Sequence, residues 1–229
     1  MIFILLAGIL LITVVNFSLG PWSTRNAMHY VPFEKGRELP VNKSIEAIPR
    51  IIHQTYKTAE IPDHWRRAQS VVKQQHDPAR GYQYLFWTDD SMRQFLSEKY
   101  SWSLSTYDSY AYPIQRVDAF RYFVLYHYGG FYVDLDVGAR RCFDILLKYD
   151  VVLAETRPFG FTNDFLASQP EHPFFLHLMK GLRENAQPWW KYFAPSLAVL
   201  VTAGPLYLTR QYHRSVLPRF EFLILCTYQ

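Results

Sequence analysis

The chain has 229 residues, enough for one globular domain with a sizeable core beside a short terminal appendage. Hydrophobic residues make up 49% and aromatics 17%, which excludes a disordered or low-complexity scaffold. The net charge of +4 is interleaved with acids, so no basic face supports nucleic-acid binding, and two cysteines, Cys142 and Cys226, exclude a disulfide framework or a four-cysteine zinc site while allowing a single disulfide.

Residues 1–19 carry no charged side chain and are almost continuously apolar, with Gly20-Pro21 closing the stretch. That length can span a bilayer. A cleaved signal peptide is the alternative, but it calls for a basic leading segment, a shorter apolar run and a small-residue cleavage site, none of which is clear here. The expectation is a transmembrane signal anchor over residues 1–20. Residues 21–47 mix Pro, Gly and charges without periodicity, as a stem does. Within it, Asn42-Lys43-Ser44 is a glycosylation acceptor, usable only if the following domain is lumenal.

The folded part is expected over residues 48–229. Arg50-Ile51-Ile52-His53-Gln54 suits a buried first strand, with His53 read as a satisfied strand residue rather than a base. Asp63 can cap a helix running to about residue 75. Residues 82–87 read as a second strand, and Thr88-Asp89-Asp90 supply cap chemistry for a helix to about residue 99. Pro113 opens a helix to about Tyr128, and Gly129-Gly130 end it before a strand at residues 131–133. Asp134-Leu135-Asp136 then falls at the strand's carboxyl end. Residues 151–154 form another strand, residues 173–184 and 194–202 look helical, and Gly204-Pro205 breaks the run. Strands alternating with helices predict an α/β fold with a mostly parallel central sheet, and such sheets bind ligands beyond the carboxyl ends of their strands.

If the strand continues through them, Asp134 and Asp136 point the same way. Two close carboxylates are made tolerable by a divalent cation, and a donor set this hard and sparse suits magnesium or manganese bridging substrate phosphates. The competing reading is that both acids simply end a strand in a solvated turn. On the preceding helix, the i, i+3 spacing puts Asp118 and Arg121 on one face, either as a functional pair or as an ordinary surface ion pair. No Walker-type or dinucleotide Gly-rich loop and no metalloprotease His spacing occurs.

Three segments occur in order: Ile48-Pro49-Arg50-Ile51-Ile52-His53-Gln54, Arg116-Val117-Asp118-Ala119-Phe120-Arg121-Tyr122, and Tyr128-Gly129-Gly130-Phe131-Tyr132-Val133-Asp134-Leu135-Asp136. Together they closely resemble the DXD-containing sugar transferases of glycosyltransferase family 32, over about residues 48–214. Within that family the chain looks most like the fungal mannosyltransferases that act on inositol phosphorylceramide. The resemblance implies a GT-A-like fold, GDP-mannose as donor, Mn2+ (or Mg2+) as cofactor, a membrane-borne acceptor such as inositol phosphorylceramide, and a Golgi membrane location with the catalytic domain lumenal. A regulatory membrane subunit is a further candidate partner.

By the same resemblance, Asp134 and Asp136 serve the metal and the nucleotide sugar, and Asp118 and Arg121 hold hydroxyls or phosphate of the donor. Tyr56 stands where relatives often carry Trp against the base. Asn163 and Asp164 are expected in a loop after the next strand, as sugar contacts or as a polar turn. Tyr107, Tyr110, Tyr112, Trp189 and Trp190 form either an apolar acceptor surface or core packing. Retention of anomeric configuration is expected, with no nucleophile assigned. Relatives continue well past the point matching Gly204-Pro205, and residues 220–226 do not resemble their continuation. The reading is therefore of a domain shortened at its carboxyl terminus, which keeps two alternatives open: an N-glycan mannosyltransferase of the same family, or a non-catalytic nucleotide-sugar-binding or partner subunit.

Overall fold

A computed structural model describes residues 30–31, 46–156, 159–186, 194–215 and 222–226. The expected anchor, nearly all of the stem with its glycosylation acceptor, and Trp189 and Trp190 lie outside them. Among the described residues no helix is long and apolar enough to cross a membrane.

Seven strands form one sheet: β1 (Tyr30–Val31), β2 (Ile51–Thr55), β3 (Gln83–Trp87), β4 (Gly130–Val133), β5 (Val151–Glu155), β6 (Phe161–Ser168) and β7 (Phe222–Cys226). Their spatial order is β1-β7-β5-β6-β4-β2-β3. β2 pairs in parallel with both β3 and β4, and β5 and β1 pair in parallel with β7. β6 alone runs the other way, between β4 and β5. The sheet is thus mixed and mostly parallel, as expected, with one reversed strand at its centre.

The helices are α1 (Asp63–Gln75), α2 (Asp89–Lys99), α3 (Ser101–Asp108), α4 (Pro113–Tyr128), α5 (Pro173–Asn185), α6 (Pro195–Thr202) and α7 (Pro205–Arg214). Thr88 caps α2, its hydroxyl accepting from the Ser91 amide at 3.3 Å. Asp63 is the first residue of α1 rather than its cap, and it pairs with Arg66 at 2.9 Å. Side-chain alternation divides β4 between two cores. Phe131 and Val133 join Ile52, Val72, Val152 and Leu223 on one face; Tyr132 joins Leu153, Leu166 and the buried sides of α2, α4 and α5 on the other.

α4 is the central helix. Residues 118–125 are all buried along it, because the sheet, α3, α5 and α6 close around it, and a charged pair is carried inside with the apolar residues. Its end is set by Gly129 and Gly130, with φ of +65° and +88°. A Cβ at Gly130 would sit 2.5 Å from the Ile51 carbonyl oxygen, so only glycine lets the chain reverse into β4 this close to β2. The same turn occupies His53, whose Nε2–H donates to the Gly129 carbonyl at 2.9 Å while its Nδ1 accepts from Trp87 Nε1 at 3.3 Å. Burial drives the imidazole's pKa down to about 4, opposed by the Gly129 bond, so His53 is a neutral structural residue, as the sequence suggests.

Four differences from the sequence reading follow. Tyr30–Val31, within the expected stem, forms a strand, and so does the apolar segment Phe222–Cys226 beside it. Gly204-Pro205 does break the helical run, and Pro205 opens a further helix, α7, that the sequence reading did not include. Ser101–Asp108 is a helix. Asn163 and Asp164 lie inside β6, not in a loop.

Candidate functional site

The carboxyl ends of β2 and β4, the first half of β6 and the early turns of α4 converge at one edge of the sheet. Arg121 is the centre of the cluster, 1% exposed. Its Nη2 lies 2.7 Å from Asp118 Oδ1 and its Nη1 lies 3.5 Å from Asp134 Oδ2. Nη1 also donates to the main-chain carbonyl of Asn163, whose own Nδ2 donates to Asp118 Oδ1 at 2.9 Å. The guanidinium carbon sits 4.6 Å from the centre of the Tyr132 ring, and the Tyr132 hydroxyl is 2.8 Å from Thr55 Oγ1. The reversed β6 completes this arrangement: pairing antiparallel to β4 brings the Asp164 carbonyl to the Asp134 amide at 2.8 Å and turns Asn163 toward α4.

Asp118 and Arg121 therefore form a buried ion pair, not the surface pair that their spacing allows. Burial pushes the Asp118 carboxyl upward, opposed by Arg121 and by the Asn163 amide. Arg121 stays firmly charged: burial disfavours its cation, but the carboxylate of Asp134, the Tyr132 ring and Asp118 outweigh that. Burial also raises Asp134 to about 6, again opposed by Arg121, with Asp118 and Asp136 adding repulsion.

The strand does not continue through the acidic pair. β4 ends at Val133, and the Val137 amide bonds back to the Asp134 carbonyl at 3.0 Å, closing a turn. Asp134 is half-buried and Asp136 is exposed at the turn's tip, so the two do not simply alternate on one strand face. Asp136 remains close enough to Asp134 for its charge to add to the upward push on that carboxyl. Among the described residues no group of three His, Cys, Asp or Glu side chains could hold a metal by itself. Two carboxylates at a surface turn fit a hard cation that takes its remaining ligands from substrate phosphates and water, and do not fit a closed protein cage. Asp118 and Asp134 share the one Arg121 guanidinium, and Asp136 adds a third carboxylate close to Asp134, an excess of negative charge that favours such a cation.

Tyr56, the residue after β2, is partly exposed, and its ring meets Trp65 of α1 edge-on at 5.3 Å. It sits at the same edge of the sheet as Asp134, one strand over, but no contact joins it to the Arg121 cluster. Tyr107 and Tyr110 are core residues, buried between α3, α4 and α5, whereas Tyr112 is half-buried just before α4.

Sequence reasoning missed what backs the site. Asp118 Oδ2 would lie 3.2 Å from a Cβ placed at Gly204, so the turn between α6 and α7 abuts the carboxylate. That turn is held by Gln115 Nε2, which donates to Thr202 Oγ1 at 2.7 Å, and by the Tyr122 hydroxyl, which donates to the Ala203 carbonyl at 2.6 Å. Tyr132, Thr55 and Trp65 were likewise unassigned; Trp65 is marked only by an aromatic on the helix next to Tyr56.

Residues 62–156 match the family described as glycosyltransferase sugar-binding region containing DXD motif. The chain is 43% identical over 177 residues to a mannosyl phosphorylinositol ceramide synthase of Saccharomyces cerevisiae, a match covering 76% of this chain and 45% of that protein. It is 42% identical over 172 residues to inositol phosphoceramide mannosyltransferase 2 of Schizosaccharomyces pombe, covering 74% and 48% respectively. The chain thus spans about half the length of these relatives. Among solved structures it is similar to the PaToxG glycosyltransferase, with a TM-score of 0.54 and 18% identity over 75% of this chain and 71% of the other, a likeness of fold.

Proposed function

From the premise that this chain belongs to the family of DXD-containing sugar-binding glycosyltransferases, we propose that it transfers mannose from GDP-mannose to inositol phosphorylceramide. The observation that carries the proposal is the buried network in which Arg121 joins Asp118, Asn163 and the DXD residue Asp134. An ion pair buried this deeply is costly unless tightly satisfied, and here it fixes a carboxylate from each of two elements at the end of the sheet where ligands bind. The activities by which these relatives are named supply the sugar and the acceptor.

Each residue has a task that its position permits. Asp134 and Asp136 would hold the cation, Mn2+ or Mg2+, with Asp134 fixed by its amide bond to β6 and Asp136 exposed at the tip of the turn. Bound there, the cation would supply Lewis-acid stabilisation of the departing diphosphate. Asp118 accepts hydrogen bonds from hydroxyls of the donor sugar, and Asn163 aims it by donating to Oδ1. Arg121 holds both carboxylates in place and adds a positive field near the developing negative charge. Tyr56, backed by Trp65, offers a ring for the base to stack on. The reaction is taken to retain configuration.

The uncharged apolar stretch of residues 1–19 supports a single membrane anchor, and the Golgi location with this domain in the lumen is carried over from the family resemblance. Protease protection of sealed microsomes tests that topology: the domain should be degraded only after detergent. The activity is tested by following GDP release from GDP-mannose by the purified chain with inositol phosphorylceramide. Turnover that requires the metal, and that disappears in Asp134→Ala plus Asp136→Ala, supports the transferase; nucleotide binding without turnover rejects it.

A further inference from the structure

One buried polar side chain beside the site has no part in the proposed chemistry. Gln54, near the carboxyl end of β2, is fully buried, and Ile52, on the same face of that strand, packs into the apolar cluster with Phe131 and Val133. A leucine or methionine would fill such a position without the cost of burying an amide, which is tolerated when its polar atoms are bonded. The partners of Gln54 therefore show its use.

Its Nε2 lies 3.4 Å from the main-chain carbonyl oxygen of Asp134, and its Oε1 lies 2.8 Å from the Tyr84 hydroxyl of β3. That hydroxyl in turn lies 2.8 Å from Gln69 Nε2 of α1. The polarity of this relay is forced. A main-chain carbonyl can only accept, so Gln54 presents Nε2 to Asp134 and Oε1 to Tyr84. Tyr84 then donates its proton to Gln54, which leaves its oxygen free to accept from Gln69. A flipped Gln54 amide would set oxygen against oxygen at Asp134, so one orientation of each group satisfies all three bonds.

The Asp134 carbonyl is also the acceptor that closes the acidic turn, taking the Val137 amide at 3.0 Å. On the other side of the residue, the Asp134 amide donates to the Asp164 carbonyl at 2.8 Å. Asp134 is thereby gripped from both neighbouring strands, from β6 through its amide and from β2 through its carbonyl. The relay starts on α1 one turn after Trp65, the residue that backs Tyr56. Lys73, one turn further, places its Nζ 4.2 Å from the centre of the Tyr84 ring and helps to fix it.

We infer that Gln54 is a positioning residue for the cation: by holding the Asp134 carbonyl it fixes the turn that presents Asp134 and Asp136, while Tyr84 and Gln69 fix Gln54. Asp136 is exposed beyond the end of β4, so its aim depends on how that turn is held. The inference rests on the reading of these two carboxylates as the cation's ligands. Removing a group that supports metal ligands from behind typically costs about ten- to a hundredfold in metal affinity.

The full chain in detergent is titrated with Mn2+ beside GDP, with free Mn2+ read by its electron paramagnetic resonance signal, for the wild type, Gln54→Met and Tyr84→Phe. Methionine fills the volume and removes both bonds of the amide, and should weaken Mn2+ binding by about tenfold. Phenylalanine leaves Nε2 its acceptor but frees the amide to turn, and should weaken Mn2+ by about threefold. GDP affinity without metal should stay within about twofold in both variants, which a general loosening of the site would not allow. Hydrogen exchange without metal reads the turn itself: the Asp134 and Val137 amides should exchange about tenfold faster in Gln54→Met, with the thermal midpoint confirming a folded protein. Mn2+ affinity of Gln54→Met within about twofold of the wild type, or a parallel loss of metal-free GDP binding, overturns the inference. So does unchanged exchange at both amides. If the wild type itself binds no Mn2+ beside GDP, the cation reading fails, while the exchange rates still decide whether Gln54 holds the turn.

Discussion

Arg121→Met keeps most of the side chain's volume and removes its charge, leaving Asp118 and Asp134 without the cation between them. The pair with Asp118 is 2.7 Å long with side chains 1% and 6% exposed, so solvent screens it little. Breaking one side of a buried pair costs about 3–5 kcal/mol, a large share of the roughly 5–15 kcal/mol that holds a domain together. Asp118→Asn is milder, about 1–3 kcal/mol, because Arg121 keeps Asp134 and the amide can still meet Asn163. The double variant removes one charge of each sign and should cost less than the sum by about 1.5–3 kcal/mol. Urea unfolding at neutral pH, with the midpoint read at constant slope, measures all corners of the cycle. If the losses add within about 0.5 kcal/mol, or Arg121→Met costs under 1 kcal/mol, the network is not the buried ionic device described here.

Asp136→Asn changes an exposed turn residue and should leave stability within about 0.5 kcal/mol while reducing transfer by at least about a hundredfold; a chelator should do the same to the wild type, with Mn2+ or Mg2+ restoring activity, all read by GDP release. Gly130→Ala meets both a φ of +88° and a carbonyl at 2.5 Å, and should cost at least about 2 kcal/mol or prevent soluble folding, read by thermal melting. His53 holds a folded pKa near 4 against 6.5 unfolded, so between these values the unfolded chain binds more protons. Stability is therefore intact above about pH 6.5 and falls on acidification by about 3 kcal/mol from His53 alone. His172, also driven to about 4 by burial, acts in the same window. Asp134, raised to about 6, gains stability over the same range, so the test is the difference: between pH 7 and 4.5 the urea midpoint of the wild type should fall further, or rise less, than that of His53→Asn.

The sequence disclosed what obeys local rules. β2, β3 and β4 are β-branched or aromatic runs with clear stops, α2 has a capping threonine and α4 an opening proline, and the Gly pair announces its own turn. β6 was not legible because Asn163 and Asp164 interrupt its apolar pattern with residues that favour turns, and only pairing on both sides makes an extended path favourable there. β1 and β7 depend on each other and on β5, a long-range pairing that neither short segment declares alone. For the site, spacing could place Asp118 beside Arg121 but not say whether the pair was inside. That depends on α3, α5 and α6 closing over α4, which no local pattern encodes.

The reversed strand explains why the misjudged residues are the ones that matter. Had β6 run parallel like its neighbours, its amino-terminal half would lie at the far edge of the sheet, and Asn163 could not reach α4. Running antiparallel, it delivers the Asn163 carbonyl to Arg121, the Asn163 amide to Asp118 and the Asp164 carbonyl to the Asp134 amide, all from adjacent residues of one strand. A turn at Asn163-Asp164 would leave Arg121 with carboxylates but no neutral acceptor, and Asp134 without its backbone anchor. Asn163→Leu tests this directly. It fits a buried strand position and keeps every main-chain bond, yet it removes the donor that aims Asp118, so donor affinity should fall about tenfold with the fold preserved. A variant that binds GDP-mannose as the wild type does would show that Asp118 needs no aiming, and that β6 serves the sheet alone.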